Sequence, residues 1–305
     1  MFSTESTAAS ELTKTSLLRN KGASSESSFV VEQPWMMVIS TQKPSIFEKR
    51  VVNRKVVNSQ KYVKYMVSKN ILKQLGQLGQ KKYRTQLGLF SVEGTKAITT
   101  FLDNGFSLKY YFGTSEAVSK SVDNITEATA LELKKLSNLS TAPSCWAAFQ
   151  LPKHIDFSPQ SLNLALDGIR DPGNLGTIIR LCDWFGIAHL LCSQDTVDCF
   201  NPKVVQASMG SLAKVQVHYV DLPKFFKQQN LAVVCTDAKG ERMYKASLPQ
   251  NAVLVVGNEG KGISQAVRHS SDMDICIPSY GTPAAESLNA AMATAIVLSE
   301  FRRRA

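Results

Sequence analysis

Residues 252–263 read Ala252-Val253-Leu254-Val255-Val256-Gly257-Asn258-Glu259-Gly260-Lys261-Gly262-Ile263. Five consecutive apolar residues make a strand with no polar face, which belongs in a parallel sheet covered on both sides. The run then breaks into three glycines within six residues, interleaved with Asn258, Glu259 and Lys261. Glycine permits left-handed backbone and close approach by a ligand. Open α/β sheets bind their ligands at the C-terminal ends of the strands. The order G-x-x-G-x-G is not the dinucleotide fingerprint, and the spacing to Lys261 does not suit a phosphate-binding loop.

Working outward, residues 231–236 form a second uninterrupted apolar run, and strands are also expected over 162–166, 188–192, 214–219 and 273–277. Helices are expected over 176–185, stopped by Gly186, around 203–207, and over 287–304. Repeated strand–helix alternation predicts an α/β domain with a parallel sheet over residues 161–305. A polar stretch bounded by Pro152 and Pro159 is the expected linker, residues 152–160. Residues 66–151 predict a small mixed α/β domain, with a basic amphipathic helix over 69–84, a strand over 89–94 and a helix over 96–104. Residues 1–65 lack apolar periodicity and are expected to be a disordered, dispensable extension, with Met66 a natural start.

The formal net charge is +10 and the pI about 9.3, which points to a polyanionic partner such as RNA. Lys69, Lys73, Lys81, Lys82 and Arg84 are the candidate phosphate contacts. The six cysteines are scattered, with no C-x-x-C pair, and several sit in apolar runs; reduced core thiols in a cytoplasmic, metal-free protein are expected. No apolar run approaches the length needed to span a bilayer, so no membrane association is expected.

Two further clusters follow predicted strands. In the first, Asp171-Pro172-Gly173-Asn174, Pro172 and Gly173 are read as a turn and Asn174 as standing near the next helix N-terminus. Arg180, six residues on, is placed roughly on the same side. In the second, Ile277-Pro278-Ser279-Tyr280-Gly281 leads to Ser287-Leu288-Asn289, which opens a helix dense in alanine. Taken singly, the clusters read as a capped helix with a surface arginine, a glycine-rich turn, and a capped helix packing through small residues.

Together, in this order, they resemble the three motifs of the SpoU (TrmH-like) family of RNA 2′-O-ribose methyltransferases. The resemblance extends to residues 201–205 and 207–211, and to Gly88-Leu89-Phe90-Ser91-Val92-Glu93-Gly94, which is similar to the family's ribosomal-protein-like RNA-binding module. One departure is the loop 281–286, slightly longer than the shortest family versions.

The resemblance implies a trefoil-knotted catalytic domain, a homodimer with its active site at the interface, and S-adenosyl-L-methionine as cofactor. It places the cofactor near Gly257, Asn258, Gly260, Ile277, Pro278 and Leu288, with glycine at 257 leaving room for the adenosyl group. It assigns catalysis to Asn174, Arg180, Glu259, Ser287 and Asn289, with Arg180 at the ribose hydroxyl. A guanidinium stays protonated, so Arg180 is expected to bind hydroxyl and phosphate rather than act as a free base. Ribosomal RNA is favoured by the N-terminal module; the alternatives are a transfer RNA 2′-O-methyltransferase or a non-catalytic RNA-binding protein on the same fold. An oxidoreductase or NTPase would need a G-x-G-x-x-G or G-K-[ST] loop after the first strand, and neither occurs.

Overall fold

A computed structural model describes residues 68–119, 125–281 and 287–304. The expected N-terminal extension, the start at Met66 and the lengthened loop through Thr282–Glu286 lie outside the described residues.

The smaller sheet has the order β1 (Leu89–Glu93), β4 (Cys145–Gln150), β2 (Leu108–Gly113), β3 (Thr126–Glu127). β4 runs antiparallel to both β1 and β2. One face carries α1 (Lys69–Leu75), α2 (Lys81–Leu87) and α5 (Ala130–Leu136), which close over Leu72, Leu78, Phe112, Leu133 and Trp146. The other face meets α3 (Thr95–Asp103) through the rings of Phe90, Phe101 and Phe149. The single helix expected over 69–84 is two helices, because Gly76 and Gly79 bound a 3₁₀ turn between them and glycine is a poor helix former.

The larger sheet has six strands, all parallel, in the order β10 (Met273–Cys276), β8 (Ala232–Arg242), β9 (Ala252–Gly257), β5 (Leu162–Asp167), β6 (His189–Cys192), β7 (Gln216–Tyr219). β5 is buried along its whole length and β9 as far as Val256, as their apolar runs require of central strands. One face is covered by α6 (Pro172–Phe185), α7 (Pro202–Ser208) and α10 (Ala290–Arg303), the other by α8 (Leu222–Phe226) and α9 (Gln265–Arg268). A short helix α4 (Ser115–Ser119) completes the small domain. Residues 151–160 carry no helix or strand.

Helix starts differ from expectation because caps decide them. Pro172 and Gly173 are not a turn but the first turn of α6: the Asp171 carboxylate accepts from Asn174 N at 2.8 Å, and Pro172, with no N–H to satisfy, fits the first helical position. α10 begins at Ala290 rather than Ser287, because the Asn289 side chain caps it. Arg302 and Arg304, at the end of α10, bond back to the protein. Arg302 donates to Phe185 O and Arg304 to Met243 O and Ala246 O, fastening α10 to its surroundings. All six cysteines are free, and five of them are buried.

α6 and α7 pack unusually closely. A Cβ on Gly176 would stand 2.4 Å from Ala207 Cβ and 2.8 Å from Val204 O.

A histidine pair lies on the α8 face of the large sheet. His189 Nδ1 and His218 Nε2 are 2.9 Å apart, with the Phe157 ring edge-on to both. His218 is 7% exposed. Burial, with His189 and His154 beside it, pushes His218 down from the ordinary 6.5 to about 4, and only Asp156 opposes the shift. Between these values the unfolded chain takes up a proton that the native state refuses, so stability falls as pH drops through this window. The urea midpoint should therefore decrease from pH 7 to pH 5, and His218→Phe should flatten that decrease. An unchanged pH dependence in the variant would rule the pair out as its source.

Candidate active site

The C-terminal ends of β5, β9 and β10 open onto one mouth. At the end of β9, Gly257 leads into a tight hairpin in which Asn258 N donates to Gly262 O (3.1 Å) and Gly262 N to Asn258 O (2.8 Å). The Asn258 amide also accepts from Gly260 N and Lys261 N, at 3.1 and 3.0 Å, and donates to Gly168 O at 2.9 Å. Asn258 therefore shapes this loop from within. The loop itself also requires glycine at 257. A Cβ there would lie 2.5 Å from Gly262 C and Ile263 N, so the obstacle is the loop's own backbone.

Side chains from all three motifs meet across this mouth. Asn174 Nδ2 donates to Glu259 Oε1, Asn289 Nδ2 donates to Asn174 Oδ1 at 2.8 Å, and Ser287 Oγ donates to Glu259 O at 3.3 Å. The direction of this chain is fixed by chemistry. A carboxylate only accepts, so Asn174 turns its NH₂ towards Glu259 and its oxygen towards Asn289. The Asn289 oxygen in turn accepts from Ala291 N (3.0 Å) and Met292 N (3.3 Å) at the start of α10. One polar chain thus joins all three motifs, with Asn174 and Glu259 half-buried and Asn289 exposed.

Arg180 is not part of it. The residue is exposed, and both it and Asn174 lie within α6. Six steps of about 100° put their side chains about 120° apart, not on one side. Arg180 instead shares a helix face with Trp184, four residues on, which is 84% exposed.

Ile277 and Pro278 follow β10 and are half-buried, and Leu288 is 47% exposed beside Asn289. Asp167, which motif reading passed over, is buried at the end of β5 and accepts from Ser264 N at 2.7 Å, pinning the far side of the glycine-rich loop. An acid ending an apolar strand is the signal that marks it. Asp171 caps α6, and its position before Pro172 is the signal for that cap.

Of the five candidate phosphate contacts, Lys69, Lys73, Lys81 and Lys82 are exposed. Arg84 is not: it is 3% exposed and donates to Leu78 O (2.8 Å), Gly79 O (3.0 Å) and Asp198 Oδ2. Its charge is spent inside the protein, which removes it from the RNA-contact set. Among the described residues, no group of three or more His, Cys, Asp or Glu side chains is placed to hold a metal ion. No helix among them is long and apolar enough to cross a membrane.

Residues 161–299 match the SpoU rRNA Methylase family, and residues 69–147 match the MRM3-like substrate binding domain. The chain is 35% identical over 144 residues to the 23S rRNA (guanosine(2553)-2′-O)-methyltransferase RlmP of Bacillus subtilis, a match covering 46% of this chain and 57% of that protein. The chain thus spans 57% and 61% of the length of the first curated relatives it matches. A TrmH-family chain from Porphyromonas gingivalis superposes with a TM-score of 0.72 at 37% identity, over 79% of this chain and 100% of that one. The SpoU methyltransferase AviRb from Streptomyces viridochromogenes, in complex with the cofactor AdoMet, superposes with a TM-score of 0.69 at 26% identity, covering 78% and 98%.

Proposed function

Because the chain belongs to the SpoU methylase family, we propose that it transfers a methyl group from S-adenosyl-L-methionine to a ribose 2′-hydroxyl of structured RNA, with ribosomal RNA the favoured substrate. The observation that carries this reading is the polar chain Asn289–Asn174–Glu259, which gathers all three motifs at the mouth of a parallel sheet.

The mouth fits the cofactor. Backbone groups near Gly257, Gly260 and Ile277, the apolar surface of Leu288 and the ring of Pro278 suit a flat, uncharged adenosyl group. When bound, the cofactor would supply an activated methyl on a sulfonium, with a neutral thioether as leaving group that needs no acid. The protein's task is the nucleophile. Arg180, permanently charged, binds the ribose hydroxyl together with the adjacent phosphate, so that the hydroxyl proton passes to phosphate or solvent. Asn174 is held by Glu259 and Asn289 with its amide orientation fixed, and Ser287 ties the third motif to the second. Holding such groups in register supplies much of the rate, because well-oriented reactants gain up to about 7–11 kcal/mol.

Arg180 shares its outward face with Trp184, and Met292 on the neighbouring helix α10 is also exposed. A second copy would cover these apolar side chains, which supports a homodimer in which Arg180 serves the partner's cofactor site. The chain returns from edge strand β10 to lay α10 against α6 and β9, a path that supports the family's trefoil knot. The exposed Lys69, Lys73, Lys81 and Lys82 hold RNA phosphates in this reading, which takes the protein to act in the cytoplasm.

The test is methyl transfer from labelled S-adenosylmethionine to total RNA lacking this modification. Label at a ribose 2′-oxygen of ribosomal RNA is expected. Label confined to transfer RNA would move the substrate class, and a folded protein that binds no cofactor would favour a non-catalytic RNA-binding protein.

Asn289 has two separable duties. Asn289→Ala should destabilise the protein by about 1 kcal/mol through loss of the cap. Asn289→Asp keeps the capping oxygen but cannot donate to Asn174, so stability should be retained while turnover falls by about tenfold or more. Full turnover in the aspartate variant would show that the donation to Asn174 is idle.

A further inference from the structure

Arg84 sits where the small domain meets the loop that leads into α7. Its Nη1 ties the 3₁₀ turn at Leu78 and Gly79, and its Nη2 crosses to Asp198, whose side chain is 18% exposed. The other Asp198 oxygen accepts from Phe200 N at 3.1 Å, and the Phe200 ring lies 4.7 Å from that of Phe90 in β1. The loop itself is clamped: Tyr219 Oη donates to Val197 O at 2.6 Å and accepts from Cys199 N at 2.7 Å. One turn further, α7 lies against Gly176 of α6, the helix that carries Asn174 and Arg180. A continuous run of rigid contacts therefore leads from the small domain to the first motif.

A buried ion pair is a poor source of stability, because desolvation offsets its attraction; its best-attested use is to fix register. We propose that the Arg84–Asp198 pair is a positioning device that sets the angle at which the small domain presents RNA to α6. This rests on the RNA methyl-transfer reading above. The planar guanidinium makes bonds in three directions within one plane, a constraint that neither lysine nor an apolar pair reproduces.

The decisive variant is Arg84→Met with Asp198→Leu, which removes both charges and leaves apolar bulk. Its thermal midpoint, its affinity for S-adenosylmethionine, and its affinity for ribosomal RNA with the salt dependence of that affinity should all stay close to wild type. Turnover at saturating RNA should fall about tenfold to a hundredfold, the cost of misplacing reacting groups by an ångström or so. Arg84→Lys, which keeps the charge and loses the fork, should share the loss of turnover. Amide residual dipolar couplings of the full chain should show the two domains reoriented in the double variant.

Wild-type turnover in the double variant, or unchanged couplings, would overturn the proposal. Weaker RNA binding with a flatter salt dependence would overturn it in favour of a phosphate contact. Failure of both variants to fold would make the pair purely structural, and would overturn it too. If the wild-type protein methylates no RNA, the functional reading fails, while the couplings still decide whether the pair sets domain orientation.

Discussion

Replacing Arg180 by alanine should lower the turnover of methyl transfer by about 10²–10³-fold, the typical cost of removing one preorganised donor aimed at developing charge. Cofactor affinity and thermal stability should hardly change, because the side chain is exposed and lies outside the chain of bonds that joins the motifs. Arg180→Lys should recover little, since an ammonium cannot engage hydroxyl and phosphate as a planar fork does. Nearly full turnover in the lysine variant would eliminate two-point orientation as the role of this residue. Mixed dimers extend the test. A dimer pairing an Arg180→Ala subunit with an Asn289→Asp subunit has one intact site if Arg180 reaches across the interface, and none if it acts at home. Recovery of about half the wild-type activity is expected, and its absence would return Arg180 to its own subunit's site.

The largest effect on stability is expected at Gly176. Alanine in a helix is ordinarily worth up to about 1 kcal/mol over glycine. Here the added methyl meets Ala207 Cβ at 2.4 Å, Val204 O at 2.8 Å and Ala207 C at 3.0 Å, so α6 and α7 would have to part. Overpacking of this kind costs about 1–3 kcal/mol, and the upper end applies because two of the three obstacles are backbone. Gly176→Ala should therefore lower the melting temperature by about 6–12 °C, at about 2–4 °C per kcal/mol for a domain of this size. A melting temperature equal to or above wild type would mean that the two helices stand further apart in solution.

Much of this was legible in the sequence, for identifiable reasons. The valine-rich run 252–256 has one structural solution, a central parallel strand, and β9 takes it. Asn174, Glu259, Ser287 and Asn289 could be grouped because the clusters that hold them follow predicted strands and together resemble the family's three motifs, and in the structure those motifs converge. What escaped was long-range. Arg84 lies among lysines and glutamines and resembles any surface cation; nothing local reveals an acid 114 residues away. The second demand on Gly257, the returning backbone of Gly262, is invisible until the hairpin is built. Arg180 faces away from Asn174 because six residues fall short of two helical turns, to which seven come closer.

Asn289 both starts α10 and completes the bond to Asn174, a residue made 115 positions earlier. During synthesis the sheet strands emerge first, and the first two motifs can fold into place while the third is still being polymerised. Until residue 289 is delivered and the helix that follows it docks, the Asn174 side-chain oxygen lacks its donor. On the function proposed above, a product stalled before residue 289 would carry the lysines proposed to hold RNA but lack the bond that ties the third motif to the first.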